Sequence, residues 1–234
     1  SPMMIRELSE SFDELKEDRH TKVLIISAEG KSFCAGGDLD WMKEQILSDR
    51  QTRIHEARKL ADLLYKMYLF PKPLIAQVEG NAFGGGIGII SVCDVAISNE
   101  NIKLALTETK LGLIPATISP YVISKIGSSN AIDLFTSART FFPPEAKNIG
   151  LIKSFCNKEN IDNVINEEAH FFLVNGPSAV SASKNLVRNL SAKIDEDTIK
   201  FTVEALADVW ENPESIEGIN AFFEKRKPNW IMEK

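Results

Sequence analysis

The sequence predicts an α/β fold in which strand–helix units coil on themselves in a spiral, followed by a helical C-terminal region. Two observations carry that expectation. The order strand, Gly-rich turn, helix, strand is used twice up to Leu106, and after Gly112 the apolar spacing becomes almost entirely that of helices. A third observation bounds it: 234 residues, 44% of them hydrophobic, supply one substantial core or a core with a small helical appendage.

The elements follow in order. Met3 to Leu15 places Met4, Leu8, Phe12 and Leu15 at helical spacing among charges, and Lys22 to Ser27 is a compact β-branched run that reads as a buried strand. The turn Ala35-Gly36-Gly37-Asp38 leads into a short helix, and a longer one follows with Ile54, Ala57, Leu60, Ala61, Leu64, Met67 and Tyr68 on one stripe. Phe70-Pro71-Lys72-Pro73 ends it. Leu74 to Val78 is the next strand, and the Gly-rich stretch from Gly80 to Gly88 feeds an apolar segment that closes near Cys93-Asp94. Val95 to Ser98 and Ile102 to Leu106 are strands parted by Asn99-Glu100-Asn101. Helices are predicted at Ser119–Ile126, Asn130–Ser137, Pro143–Ile149, Ile161–Asn175, Pro177–Leu190, Asp195–Trp210 and Pro213–Lys225, with a strand at Leu151–Phe155. Residues 1–159 are expected to form the α/β core and 160–234 a helical cap or oligomerisation region.

Charge and cysteine usage narrow the function classes. The net charge is -6 with no long Lys/Arg run, which removes the broad attraction that draws proteins to nucleic acid or anionic membrane. Apolar runs such as Phe70 to Ala76 are too short to cross a bilayer. Cys34, Cys93 and Cys156 are odd in number and too scattered for a metal knuckle, so a reducing cytoplasm is the expected compartment. The opening Ser-Pro-Met-Met reads as the N-cap and first turn of a helix already inside a domain, and native residues are expected ahead of Ser1.

Gly84-Gly85-Gly86-Ile87-Gly88 fits neither the dinucleotide nor the Walker A register. A Gly turn entering a helix instead exposes N–H groups that lack intrahelical partners, at the positive end of the dipole, where an oxyanion is stabilised. Ser32-Phe33-Cys34-Ala35-Gly36-Gly37-Asp38-Leu39 has the same placement, with Asp38 as the helix N-cap. His20, His55 and His170 are dispersed and receive no chemistry. Core packing is the first reading of Trp41, Tyr65 and Tyr121, an acyl pocket the second.

Taken with Cys93-Asp94-Val95-Ala96, Leu106-Thr107-Glu108-Thr109-Lys110-Leu111-Gly112-Leu113-Ile114-Pro115, Ala146-Lys147-Asn148-Ile149-Gly150-Leu151-Ile152 and Gly176-Pro177-Ser178-Ala179, the ordered set resembles the crotonase (enoyl-CoA hydratase/isomerase) superfamily from Met4 to Asn229. The resemblance implies a coenzyme A thioester as substrate. It also implies an oxyanion hole from the N–H groups of Gly37 and Gly85, with the Ala35 carbonyl near the adenine and Lys227 near a CoA phosphate. Glu108 matches one of the two family glutamates of the common hydratases. The other falls on Gly88, which is expected to be open space beside the reacting carbons.

The wording around Gly88 and Thr107–Tyr121 resembles the 3-methylglutaconyl-CoA and carboxygeranoyl-CoA hydratase-like branch. Hydration of a branched or carboxylated enoyl-CoA by one glutamate is therefore the expectation, and Δ3,Δ2-enoyl-CoA isomerisation the runner-up. An acyl-CoA-binding homologue without turnover is the reading from another class. The resemblance further implies a homotrimer or dimer of trimers, and no metal or redox cofactor, since coenzyme A arrives with the substrate.

Overall fold

The computed structural model describes residues 1–191 and 193–231. Its strands alternate between two parallel sheets. β1 (Leu24–Ile26), β3 (Leu74–Val78), β5 (Val95–Asn99) and β7 (Ser154–Cys156) form one in the order β1-β3-β5-β7. β2 (Ser32–Cys34), β4 (Asn81–Phe83) and β6 (Leu104–Ala105) form the other in the order β2-β4-β6. Each of the first three coils of chain thus lays one strand in each sheet before the next begins, which is the spiral the repeated pattern predicts. Leu24 pairs with Leu74, Ile75 with Val95 and Ile97 with Ser154 in the larger sheet, and Ala82 with Leu104 in the smaller.

β3 anchors the core, with all five residues buried, as expected of a central strand covered on both faces. Around the sheets run α1 (Pro2–Glu17), α2 (Leu39–Leu47), α3 (Arg50–Leu69), α4 (Gly85–Val92), α5 (Ser119–Ser137), α6 (Pro143–Asn148), α7 (Ile161–Leu173), α8 (Pro177–Leu190), α9 (Glu196–Trp210) and α10 (Pro213–Phe223). The α3 stripe buries Ala57, Ala61, Leu64 and Met67. α9 returns onto that helix, so that Ile199 and Val203 share an apolar cluster with Ala57 and Ala61.

Several boundaries differ from those predicted, each for a local reason. β2 and β4 were not expected, because each is only three residues long and abuts a Gly turn. The two helices expected between Ser119 and Ser137 form one run broken at Gly127, whose φ of 77° and ψ of 158° are not helical. β7 begins later than expected because the N–H groups of Leu151 and Ile152 both donate to Ala146 O, closing the end of α6 while their side chains fill the core.

Candidate active site

Strands of a parallel sheet end on the same edge, so the segments leaving β2, β4 and β6 emerge side by side. Those segments are Ala35-Gly36-Gly37-Asp38, Gly84-Gly85-Gly86 and the 3₁₀ turn Glu108–Leu111. Topology therefore gathers both Gly turns and Glu108 from three separate coils of chain.

In the first turn Asp38 caps α2, its Oδ1 accepting from the N–H groups of Asp40 at 3.1 Å and Trp41 at 3.0 Å. In the second, Gly84 adopts φ +49°, which disfavours any side chain, and its N–H donates to Ala105 O at 3.1 Å, tying the turn to β6. α4 then starts at Gly85 without a side-chain cap. Among the described residues neither the Gly37 nor the Gly85 N–H has a hydrogen-bond acceptor, and Gly85 also stands at the positive end of the α4 dipole. At the other end of α4, Lys125 Nζ donates to Cys93 O at 2.6 Å.

Both glycines border one cavity of about 140 Å³. Its walls come from α1 (Met4, Ile5), α2 (Trp41), α3 (Glu56, Ala57, Leu60), α4 (Ile89), α9 (Leu206), and from Cys34 and Thr117. Glu108 meets the same turn from another side: a methyl carbon placed on Gly84 would stand 3.0 Å from Glu108 Oε1. Its Oε2 is buried and has no hydrogen-bond partner among the described residues. Burial pushes the carboxyl up from 4.5 to about 7, against a lowering contribution from its own backbone N–H. A carboxyl held there can give or take a proton near neutrality.

Gly88 is not the open space expected. A Cβ on it would lie 2.4 Å from Ile118 Cγ2 and 2.9 Å from Ile118 Cβ. The position matching the absent glutamate is filled by a β-branched side chain from the segment before α5, which cannot swing aside as a long flexible one could. Gly88 is a packing glycine, and its surroundings leave no room for a second carboxyl.

The remaining site residues are placed as follows. Ala35 is exposed in the first Gly turn, two residues from Gly37, and lies outside the cavity wall. Lys227 is exposed beyond α10, where its carbonyl accepts from Arg226, and is likewise not at the cavity. Trp41 does border the cavity, whereas Tyr121 belongs to the main core and Tyr65 packs against the α3–α9 cluster. Sequence reasoning missed Glu56, Thr117 and Leu206 as wall residues. Glu56 stands one residue before Ala57 of the helical stripe, and only the approach of α2 and α9 gives it a place in the site.

Comparison with known proteins shows the family. The family model described as Enoyl-CoA hydratase/isomerase matches residues 1–233. The short-chain-enoyl-CoA hydratase of Clostridium acetobutylicum is 31% identical over 230 residues, covering 95% of this chain and 85% of that protein. The mitochondrial methylglutaconyl-CoA hydratase of Homo sapiens is 31% identical over 237 residues, covering 98% and 69%. Among solved structures, an enoyl-CoA hydratase from Shewanella pealeana superposes with a TM-score of 0.78 at 37% identity, covering 97% of this chain and 85% of that one.

Proposed function

The chain belongs to the enoyl-CoA hydratase/isomerase family, and from that membership and its own site we propose that it adds water reversibly to a 2-enoyl-CoA thioester with Glu108 as its one acid/base. The observation that carries the reading is the meeting of two unpaired N–H groups, on Gly37 and Gly85, with a buried carboxyl of raised pKa at one edge of the small sheet. The thioester oxygen is held by the two N–H groups. Ionised Glu108 takes a proton from water as the water oxygen bonds to C3, and the electron pair of the double bond moves through C2 onto the thioester oxygen. Each backbone donor aimed at that developing charge contributes roughly 3 kcal/mol to the transition state. The same carboxyl then returns its proton to C2, collapsing the enolate and restoring the starting state.

Supporting features complete the proposal. The Ala35 carbonyl and Lys227 are the candidate contacts to the nucleotide of coenzyme A, Lys227 from its own or a neighbouring copy. Assembly as a homotrimer or dimer of trimers is supported by α8, which buries none of its residues and exposes Leu186, Val187 and Leu190. No helix is long and apolar enough to cross a membrane among the described residues, and the three cysteines are free, in keeping with a cytoplasmic site of action.

Glu108→Gln tests the reading: acyl-CoA affinity is expected to survive while kcat falls at least about 100-fold. Turnover in deuterium oxide should give 3-hydroxyacyl-CoA with one solvent hydrogen at C2. Movement of a double bond from a 3-enoyl-CoA without net hydration would instead make the protein an isomerase, and wild-type turnover by the folded variant would remove Glu108 from the mechanism.

A further inference from the structure

The far end of α4 borders a second cavity, of about 730 Å³, which shares no wall residue with the one at Gly37 and Gly85. Three cations, Lys125 of α5 and Lys184 and Arg188 of α8, border it against one carboxylate, Asp94. All three converge on that residue. Lys184 Nζ donates to Asp94 Oδ2 at 2.5 Å, Arg188 Nη2 stands 3.9 Å from Asp94 Oδ1, and Lys125 Nζ is 3.4 Å from Asp94 O. Asp94 is fully engaged, since its Oδ2 also accepts from the Leu74 N–H at 2.7 Å. The cations are not. Lys184 has one further acceptor in Lys72 O, Lys125 has Cys93 O, and Arg188 has Phe70 O at 3.3 Å. Each lysine thus keeps an N–H, and Arg188 most of its fork, without an acceptor among the described residues. Burial holds the pKa of all three below its ordinary value, that of Lys184 at about 8, so Asp94 does not compensate them. Ser91 of α4 and Tyr121 of α5 border the same space at 7% and 2% exposure, and the buried hydroxyl of each has no hydrogen-bond partner among the described residues. Buried hydroxyls ordinarily have one.

We infer that this cavity binds a small organic phosphate monoester, its dianion held by Lys125, Lys184 and Arg188 and its oxygens accepting from Ser91 and Tyr121. Three cations less one carboxylate leave two positive charges, which a phosphate monoester matches near neutrality while offering three strong acceptor oxygens. The Arg188 fork suits two of those oxygens at once. Val92, Phe172, Val180 and Val187 make other parts of the wall apolar, so the ester carries an apolar body rather than being inorganic phosphate alone. Nothing in this depends on the hydratase reading. Gly85 at one end of α4 and Ser91 near the other belong to different sites.

Calorimetry on the full chain at matched ionic strength compares phenyl phosphate, inorganic phosphate and acetate. Phenyl phosphate is expected to bind at least about tenfold more tightly than inorganic phosphate, through its ring, and acetate not measurably. Arg188→Gln removes the fork and should weaken phenyl phosphate at least about tenfold. Ser91→Ala combined with Tyr121→Phe deletes only the two unpartnered hydroxyls, so it should weaken binding about tenfold without lowering the melting temperature of the free protein. Affinity should fall as pH rises through about 8, where Lys184, faced by Asp94, Arg188 and Cys93, loses its proton while the ester stays a dianion. Coenzyme A carries a phosphate monoester of its own and is expected to bind alongside phenyl phosphate without displacing it. None of these measurements uses turnover, so their failure is distinct from failure of the hydratase reading. Absence of phenyl phosphate binding, affinity unmoved by the hydroxyl pair, or displacement by coenzyme A would each overturn the proposal. So would a fall in mass by light scattering on adding phenyl phosphate, which would give the cavity to an acidic side chain of a second copy.

Discussion

At Glu108 the proposed catalysis is coupled to stability through one buried carboxyl. Its carboxyl titrates at about 7 in the fold against 4.5 when free, because burial disfavours the charged form. The fold therefore enjoys the full contribution of the neutral group below pH 4.5 and loses it as pH rises through 7, a change of about 3 kcal/mol. Urea titrations of the wild type should show stability falling across that window, and Glu108→Gln should flatten the profile. Turnover in the hydration direction should climb over the same range, with an apparent pKa near 7, as the base form appears. A second residue-scale expectation concerns Gly88 and Ile118. Gly88→Ala should cost about 1–3 kcal/mol by overpacking, and pairing it with Ile118→Val or Ile118→Ala should recover part of that loss, so that a double-mutant cycle reports coupling rather than additivity. The motifs made Gly37, Gly85 and Glu108 candidates, and the structure sets the two glycines on one cavity and Glu108 against the second Gly turn. It could not reveal what faces Gly88, since Ile118 arrives from a different coil and has no periodic relation to the Gly turn.

Among the elements that do not border the cavity at Gly37 and Gly85, α10 touches the Glu108 turn although it is far from it in sequence. A Cβ on Gly218 of α10 would lie 2.5 Å from the carbonyl carbon of Leu111, and one on Gly112 would lie 2.4 Å from Glu214 O, so the helix and the Glu108 turn touch backbone to backbone. Leu111 and Leu113 share an apolar cluster with Ile219 and Trp210, and the same cluster holds Met42, which packs beneath Gly37. Gly218→Ala should therefore lower kcat with little change in KM and reduce stability by about 1–3 kcal/mol. Gly176→Ala, where a methyl meets nothing within 4 Å, serves as the matched control on a second glycine outside the site. Helices with long apolar stripes, α3 and α9 above all, were legible because many residues vote for one period. β2 and β4 were not, since Ser32-Phe33-Cys34 and Asn81-Ala82-Phe83 are too short to express alternation and exist because neighbouring strands complete their hydrogen bonds.

At the scale of the whole molecule, the C-terminal helices divide their apolar surface unequally. α8 buries none of its residues and leaves Leu186, Val187 and Leu190 exposed, whereas α7, α9 and α10 each bury a face while exposing Phe171 and Leu173, Phe201, and Ile216 and Phe222 respectively. Light scattering should return the mass of a trimer or of a multiple of it, and Val187→Asp with Leu190→Asp should shift the mass toward the single chain. The alternation of strands between the two sheets has a consequence for how the molecule is made. Every pairing in either sheet joins different coils, from Leu24 with Leu74 to Ile97 with Ser154, so no local hairpin can seed the structure. Such long-range closure slows folding. On a ribosome the proposed oxyanion donors of Gly37 and Gly85 would emerge well before the α10 contact that steadies Glu108, so a nascent chain would hold the donors for a thioester before it holds the proposed means to hydrate it.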